Sequence, residues 1–78
     1  MSWQRIDRMH RKMYGGIFID CDDPSKREDI IRLIKQTFPY YARTEIATAV
    51  DASGAAIAVP RPRDQFWACV KNKLEEEA

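Results

Sequence analysis

The segment from Asp22 to Glu28 constrains the fold of this chain most, because several helix-start signals coincide within it. It reads Asp-Asp-Pro-Ser-Lys-Arg-Glu. An aspartate can cap the free N–H groups of a first turn, proline suits the first helical position, and Ser-x-x-Glu is a capping box. A helix is therefore expected to begin here. Its apolar stripe should run from Ile30 to Phe38, where Pro39 ends it.

The residues before this segment predict a helix followed by a strand. From Ser2 to Tyr14, apolar residues recur every three or four positions, and arginines and lysines fill most of the rest. Gly15-Gly16 should end this helix, since glycine readily adopts the left-handed conformation found beyond helix ends. The next run, Ile17 to Cys21, is short and almost entirely apolar. Such a run is typical of a strand that is buried on both faces.

The second half of the chain predicts a hairpin and a last helix. Thr44 to Val50 alternates β-branched residues with Glu and Ala, Asp51 to Gly54 resembles a turn, and Ala55 to Val59 consists of small apolar residues. These patterns favour two antiparallel strands. The apolar spacing from Phe66 to Leu74 predicts a helix at the end of the chain.

The expected element order is therefore α-β-α-β-β-α, in an α+β fold with a small three-stranded mixed sheet packed by helices. This arrangement is an incomplete split βαβ, or ferredoxin-like, unit. A chain of 78 residues supports one core, so residues 1–78 are expected to form a single domain. The first strand would have a free edge that the N-terminal helix or a second copy of the chain could cover, which is compatible with a homodimer.

Composition limits the class of protein. With 45% hydrophobic and 32% charged residues, the chain is of globular type. No apolar run approaches the roughly 20 residues that a membrane helix needs, and the first residues do not resemble a signal peptide. We therefore expect a cytoplasmic protein with no membrane partner. The two cysteines, Cys21 and Cys69, lie in apolar contexts and are expected to be reduced.

No pattern of catalytic residues is recognisable, so we expect no enzymatic activity, no cofactor and no bound metal. His10 is the only histidine, and no Cys or His spacing is typical of a zinc site. Carboxylates at Asp20, Asp22 and Asp23 could hold a magnesium ion, which keeps a metal-dependent phosphodiesterase as the third hypothesis. Asp22 and Asp23 are equally what a helix N-terminus requires.

Two arginines occupy positions that folding alone does not favour. Arg61 and Arg63 flank Pro62 at the expected start of the last helix, where the helix dipole favours anions. In the expected topology they emerge beside the end of the first helix. The candidate binding patch therefore consists of Arg8, Arg11, Lys12, Arg61 and Arg63.

The leading hypothesis is a small non-enzymatic interaction or regulatory protein that binds a larger protein partner through a charged surface and a sheet edge. An inhibitor or accessory protein of a phage or mobile element would match in size alone. The alternative is a nucleic-acid-binding protein that uses the basic patch, with Tyr40, Tyr41 or Trp3 stacking on bases if exposed. A net charge of only +1 argues against this alternative.

Overall fold

The computed structural model describes the backbone of residues 2–77 and the side chains of residues 3–75, and it is mainly helical. The helices are α1 (Ser2–Tyr14), α2 (Pro24–Thr37), α3 (Arg43–Ala56) and α4 (Arg63–Glu77). Two short strands, β1 (Phe18–Ile19) and β2 (Arg61–Pro62), pair antiparallel, with Phe18 opposite Pro62 and Ile19 opposite Arg61.

The predicted three-stranded sheet and the ferredoxin-like fold class are wrong. Thr44 to Val50, predicted as a strand, lies within α3, and the predicted turn from Asp51 to Gly54 continues the same helix. The alternating residues of this segment can equally be arranged so that its apolar side chains lie on one face of a helix. The buried residues of α3 fall at the i, i+3, i+4, i+7 spacing of one helical face, and they include Ile46, Ala49, Val50 and Ser53. The alanines on the same segment add to its helix propensity.

The two other predicted strands are also largely absent. Of the Ile17 to Cys21 segment, only Phe18 and Ile19 pair in a strand, and Ile17 is exposed. The Ala55 to Val59 segment contributes the last two residues of α3 and then an irregular connection to β2. No central strand is therefore present in the part of the chain that the structure describes.

The first two helices are confirmed, and so are the glycines after α1 and the aspartate cap and proline at the start of α2, whereas Ser25 lies inside α2 and does not form the predicted Ser-x-x-Glu capping box. Gly15 and Gly16 follow α1 with φ angles of 69° and 73°, in the left-handed region. The carboxylate of Asp23 caps α2, since it accepts hydrogen bonds from the backbone N–H groups of Ser25 and Lys26 at 2.9 and 3.5 Å. Helix α2 thus begins at Pro24, as the sequence indicated.

The core lies where the four helices meet. Helix α2 packs against α1 and α3, and α4 packs against the same two helices. Trp67 of α4 belongs to this core, because only 5% of it is exposed, and its indole N–H donates to Asp7 at 2.9 Å. Fully buried members of the core include Ile6, Ile30, Ile34, Ile46, Val50, Phe66 and Val70.

Gly54 allows α3 to lie very close to the segment that follows β1. A Cβ atom at this position would lie 2.8 Å from the Sγ atom of Cys21. Cys21 is buried, Cys69 is partly buried, and neither forms a disulfide. Burial raises the pKa of the Cys21 thiol, so this side chain acts as a small apolar core residue.

Candidate functional site

Arg63 is a buried cation whose side chain binds the backbone that follows α1. Only 4% of the residue is exposed. Its guanidinium donates hydrogen bonds to the carbonyls of Gly15 and Gly16 at distances of 2.6 to 3.2 Å, and to His10 Nδ1 at 2.6 Å. Its Nε atom also lies 3.5 Å from a carboxylate oxygen of Asp7. Arg63 therefore binds the chain as it leaves α1.

Arg61 has the same role at the end of α3. It is 7% exposed, and its Nε atom donates to the carbonyls of Gly54 and Ile57 at 3.1 and 3.0 Å. The other guanidinium nitrogens face the carboxylate of Asp22, with the shorter contact at 3.2 Å. A cation is unfavourable at the N-terminus of α4 but favourable at the C-terminus of α3, where the last carbonyls lack helical partners.

The five residues of the predicted basic patch do not form one surface. Arg61 and Arg63 are buried at the C-terminal ends of two different helices. Arg8, Arg11 and Lys12 are exposed on α1. Arg63 lies beside the end of α1, as predicted, but it is buried there, and Arg61 lies instead at the end of α3. A binding role for the three α1 residues stays a prediction.

His10 is buried beneath Arg63 as a neutral ring. Because guanidinium nitrogens only donate, Nδ1 of His10 must accept from Arg63, which places the ring proton on Nε2. Burial, and then the charge of Arg63, lower the pKa of His10 from 6.5 to about 4. The ring also packs edge-on against Trp67, with centroids 5.7 Å apart. These contacts make His10 part of the core.

The three aspartates before α2 each have a separate structural partner. Asp20 accepts from the backbone N–H of Asp22 and lies 3.6 Å from Lys26, Asp22 pairs with Arg61, and Asp23 caps α2. The hydrogen bond from the backbone N–H of Asp22 holds the pKa of Asp20 below its usual range, and the hydroxyl and backbone N–H of Ser25 do the same for the pKa of Asp23. Among the described residues, no group of three or more His, Cys, Asp or Glu is placed to hold a metal ion.

Five large apolar side chains are exposed in the segments that flank β1 and β2 along the chain. We call these residues the apolar patch, and their exposed fractions are Met13 (50%), Tyr14 (40%), Ile17 (71%), Phe18 (49%) and Val59 (68%). Phe18 shares one depression with Tyr14, and it lines a second groove together with Val59 and Pro60. Sequence reasoning missed this surface because it assigned Ile17 and Val59 to buried strands. The prolines at 60 and 62 were the available signal, since proline is rare in a central strand.

A second exposed surface lies on the outer face of α1. We call it the basic row, and it consists of Arg5, Arg8 and Lys12. Their spacing of i, i+3 and i+7 places them on one face of the helix. Arg11, the fourth cation here, is bound to Asp7 at 3.2 Å. Arg5 was missed as a candidate, although its spacing from Arg8 and Lys12 is visible in the sequence.

The three aromatic residues considered for base stacking differ in exposure. Tyr40 is 73% exposed, whereas Trp3 and Tyr41 are partly buried against the core. The Trp3 and Phe38 rings lie 5.1 Å apart, and the Tyr40 and Tyr41 rings 4.8 Å apart. Trp3 and Tyr41 therefore pack against the core near the end of α2, and only Tyr40 is largely exposed.

Comparison with protein-family models, curated proteins and solved structures finds no match. In the described residues, no helix has the length and apolar character needed to cross a membrane. The function must therefore be inferred from the two exposed surfaces.

Proposed function

We propose that this chain is a non-enzymatic interaction protein that binds a larger protein partner through the apolar patch. One observation carries the proposal. Of the six large apolar residues that are exposed in the described part of the chain, five lie in the segments that flank β1 and β2, and three of these, Tyr14, Phe18 and Val59, line two depressions that share Phe18. Scattered exposed apolar residues are ordinary, but a concentration of them is typical of a protein–protein contact surface.

The backbone beneath the patch is held in place by hydrogen bonds. Arg63 binds the carbonyls of Gly15 and Gly16 through its side chain, and its backbone N–H donates to the carbonyl of Ile17 at 2.9 Å. Ile17 is thus exposed on a segment that is fixed on the side facing the core. A surface fixed before binding loses less conformational entropy on association than a mobile loop does.

The same segment offers a short sheet edge. Phe18 lies opposite Pro62, which has no N–H, so this pair belongs to the type without mutual hydrogen bonds. The N–H and C=O of Phe18 therefore point away from β2. A partner could pair with this edge while its side chains contact Ile17 and Phe18.

The chemistry of the patch favours a protein over a nucleic acid. Aliphatic side chains such as Ile17 and Val59 gain little from a phosphate backbone, whereas they complement the apolar centre of a protein interface. The groove that holds Phe18 and Val59 is also lined by Asp20 and Asp22, which supply a polar rim. The partner should therefore present an apolar surface bordered by basic groups.

Parallel affinity purification from the source cells tests this proposal. We would compare the tagged wild-type chain with the double variant Ile17→Ser/Val59→Ser and with Tyr40→Ser, which removes an equally exposed residue outside the patch. A protein that binds the wild type and Tyr40→Ser, but not the double variant, supports the proposal. Its affinity would then be measured by calorimetry with purified components. Equal binding of all three chains, each shown to be folded by circular dichroism, would exclude the patch as the binding surface.

A further inference from the structure

The charges that lack ion-pair partners are unevenly distributed. Seven of the 13 lysines and arginines form ion pairs among the described residues, and Lys35 donates to two backbone carbonyls. The remaining cations are Arg5, Arg8, Lys12, Lys71 and Lys73. Three of these five lie on α1, where they form the basic row. The unpaired positive charge of the described residues is therefore concentrated on one helix face.

The basic row forms a continuous surface. Its three residues line one shallow depression together with Gln4 and Met9. An adjoining depression is lined by Arg5, Met9 and two polar residues of α2, Gln36 and Thr37. From Arg5 to Lys12 the row extends about 10 Å along the helix axis, at 1.5 Å per residue.

This surface differs chemically from the apolar patch. No carboxylate lines either depression, and the only apolar side chain there is Met9, which is partly buried. A ligand for such a surface carries repeated negative charge and needs little apolar area. Three long cationic side chains along about 10 Å of helix can each contact a phosphate of the same nucleic-acid segment. Arginine, lysine and glutamine side chains commonly contact phosphate oxygens.

We infer that the basic row is a sequence-independent binding surface for the phosphate backbone of nucleic acid, separate from the apolar patch. This inference goes beyond the proposed function and does not depend on it. Three phosphate contacts make binding weak and strongly dependent on salt, because affinity comes from the release of condensed counterions. The net charge of +1 does not attract nucleic acid to the protein as a whole, so binding depends on the local positive charge of this helix face.

Fluorescence anisotropy with a labelled duplex of about 20 base pairs and the matching single strand tests the inference, starting from about 50 mM salt. For three contacts, the slope of log affinity against log salt should be about −2.7 for the duplex and about −2 for the single strand. In the double variant Arg5→Gln/Arg8→Gln, the duplex slope should fall to about −0.9, and affinity should fall at least tenfold.

Two matched variants make the test specific. Lys71→Gln/Lys73→Gln removes the same net charge from α4 and should bind as the wild type does. Ile17→Ser/Val59→Ser should also bind normally, so failure of the apolar patch and failure of the basic row are distinguishable. The inference is overturned if the two lysine substitutions weaken binding as much as the two arginine substitutions. It is also overturned if a hepta-glutamate peptide displaces the duplex at equal charge concentration, since the row would then fit an acidic protein.

Discussion

Arg63 and His10 lie 53 positions apart in the sequence, and a guanidinium nitrogen of Arg63 is 2.6 Å from Nδ1 of His10 in the interior. The same guanidinium binds the carbonyls that follow α1. This single side chain thus joins the first helix, the segment before β1 and the start of the last helix. Ile17 and Phe18 of the apolar patch lie on the segment that Arg63 holds.

Replacing Arg63 by methionine should destabilise the protein severely. The substitution keeps an unbranched apolar side chain but leaves the carbonyls of Gly15 and Gly16 and the ring of His10 without their donor. The free energy of unfolding in urea should fall by on the order of 3 kcal/mol. Arg11→Met, which removes an exposed arginine from α1, is the control and should change stability little. Equal stability of the two variants would show that Arg63 does not support the fold.

Stability should also depend on pH through His10. Its pKa is lowered to about 4 in the folded protein, against 6.5 as the ordinary value, so between these pH values the unfolded chain binds more protons. The free energy of unfolding therefore rises with pH in this window. It should fall by on the order of 2 kcal/mol as the pH is lowered from 6.5 to 4.

The variant His10→Gln separates this effect from that of the carboxylates. Glutamine has an amide oxygen that can accept from Arg63, but it does not titrate. Urea unfolding at pH 6.5 and pH 5 should therefore show a smaller loss for His10→Gln than for the wild type. The same loss in both proteins would mean that the ring of His10 is protonated as easily in the folded state as in the unfolded state.

Gly54→Ala should destabilise the protein although it lies within a helix. Helix propensity alone would make alanine more favourable than glycine by about 1 kcal/mol. The new Cβ atom, however, would lie 2.8 Å from the Sγ atom of Cys21. We expect a net loss of about 1–2 kcal/mol. In a Cys21→Ala background this clash is absent, so Gly54→Ala should become neutral or stabilising there. Thermal unfolding of the four proteins measures this coupling.

The helices α1 and α2 could be predicted because their ends are encoded locally, by Gly15-Gly16, by Asp23-Pro24 and by Pro39. Helix α3 could not. The apolar residues of α3 match both the two-residue period of a strand and the 3.6-residue period of a helix. The helix is selected because it buries Ile46 and Val50 against the other helices. Local sequence carries no information about that packing.

The contacts of Arg61 and Arg63 and the exposure of the apolar patch could not be predicted for a related reason. Arg61 meets Asp22 across 39 positions, and Arg63 meets His10 across 53. Such contacts cannot be read from neighbouring residues, so both arginines were interpreted as surface charges. Ile17 and Val59 were assigned to the sheet interior, and their exposure became apparent only when no sheet was found to cover them.

The central claim is that a protein partner binds at the apolar patch, and nuclear magnetic resonance of the complex tests it most directly. With the partner identified by the purification described above, methyl and amide signals of the labelled chain would be recorded with and without it. We predict that the largest changes occur at the methyl groups of Ile17 and Val59 and at the amide of Phe18. Changes confined to the exposed faces of α3 and α4, with these three signals unmoved, would contradict the account.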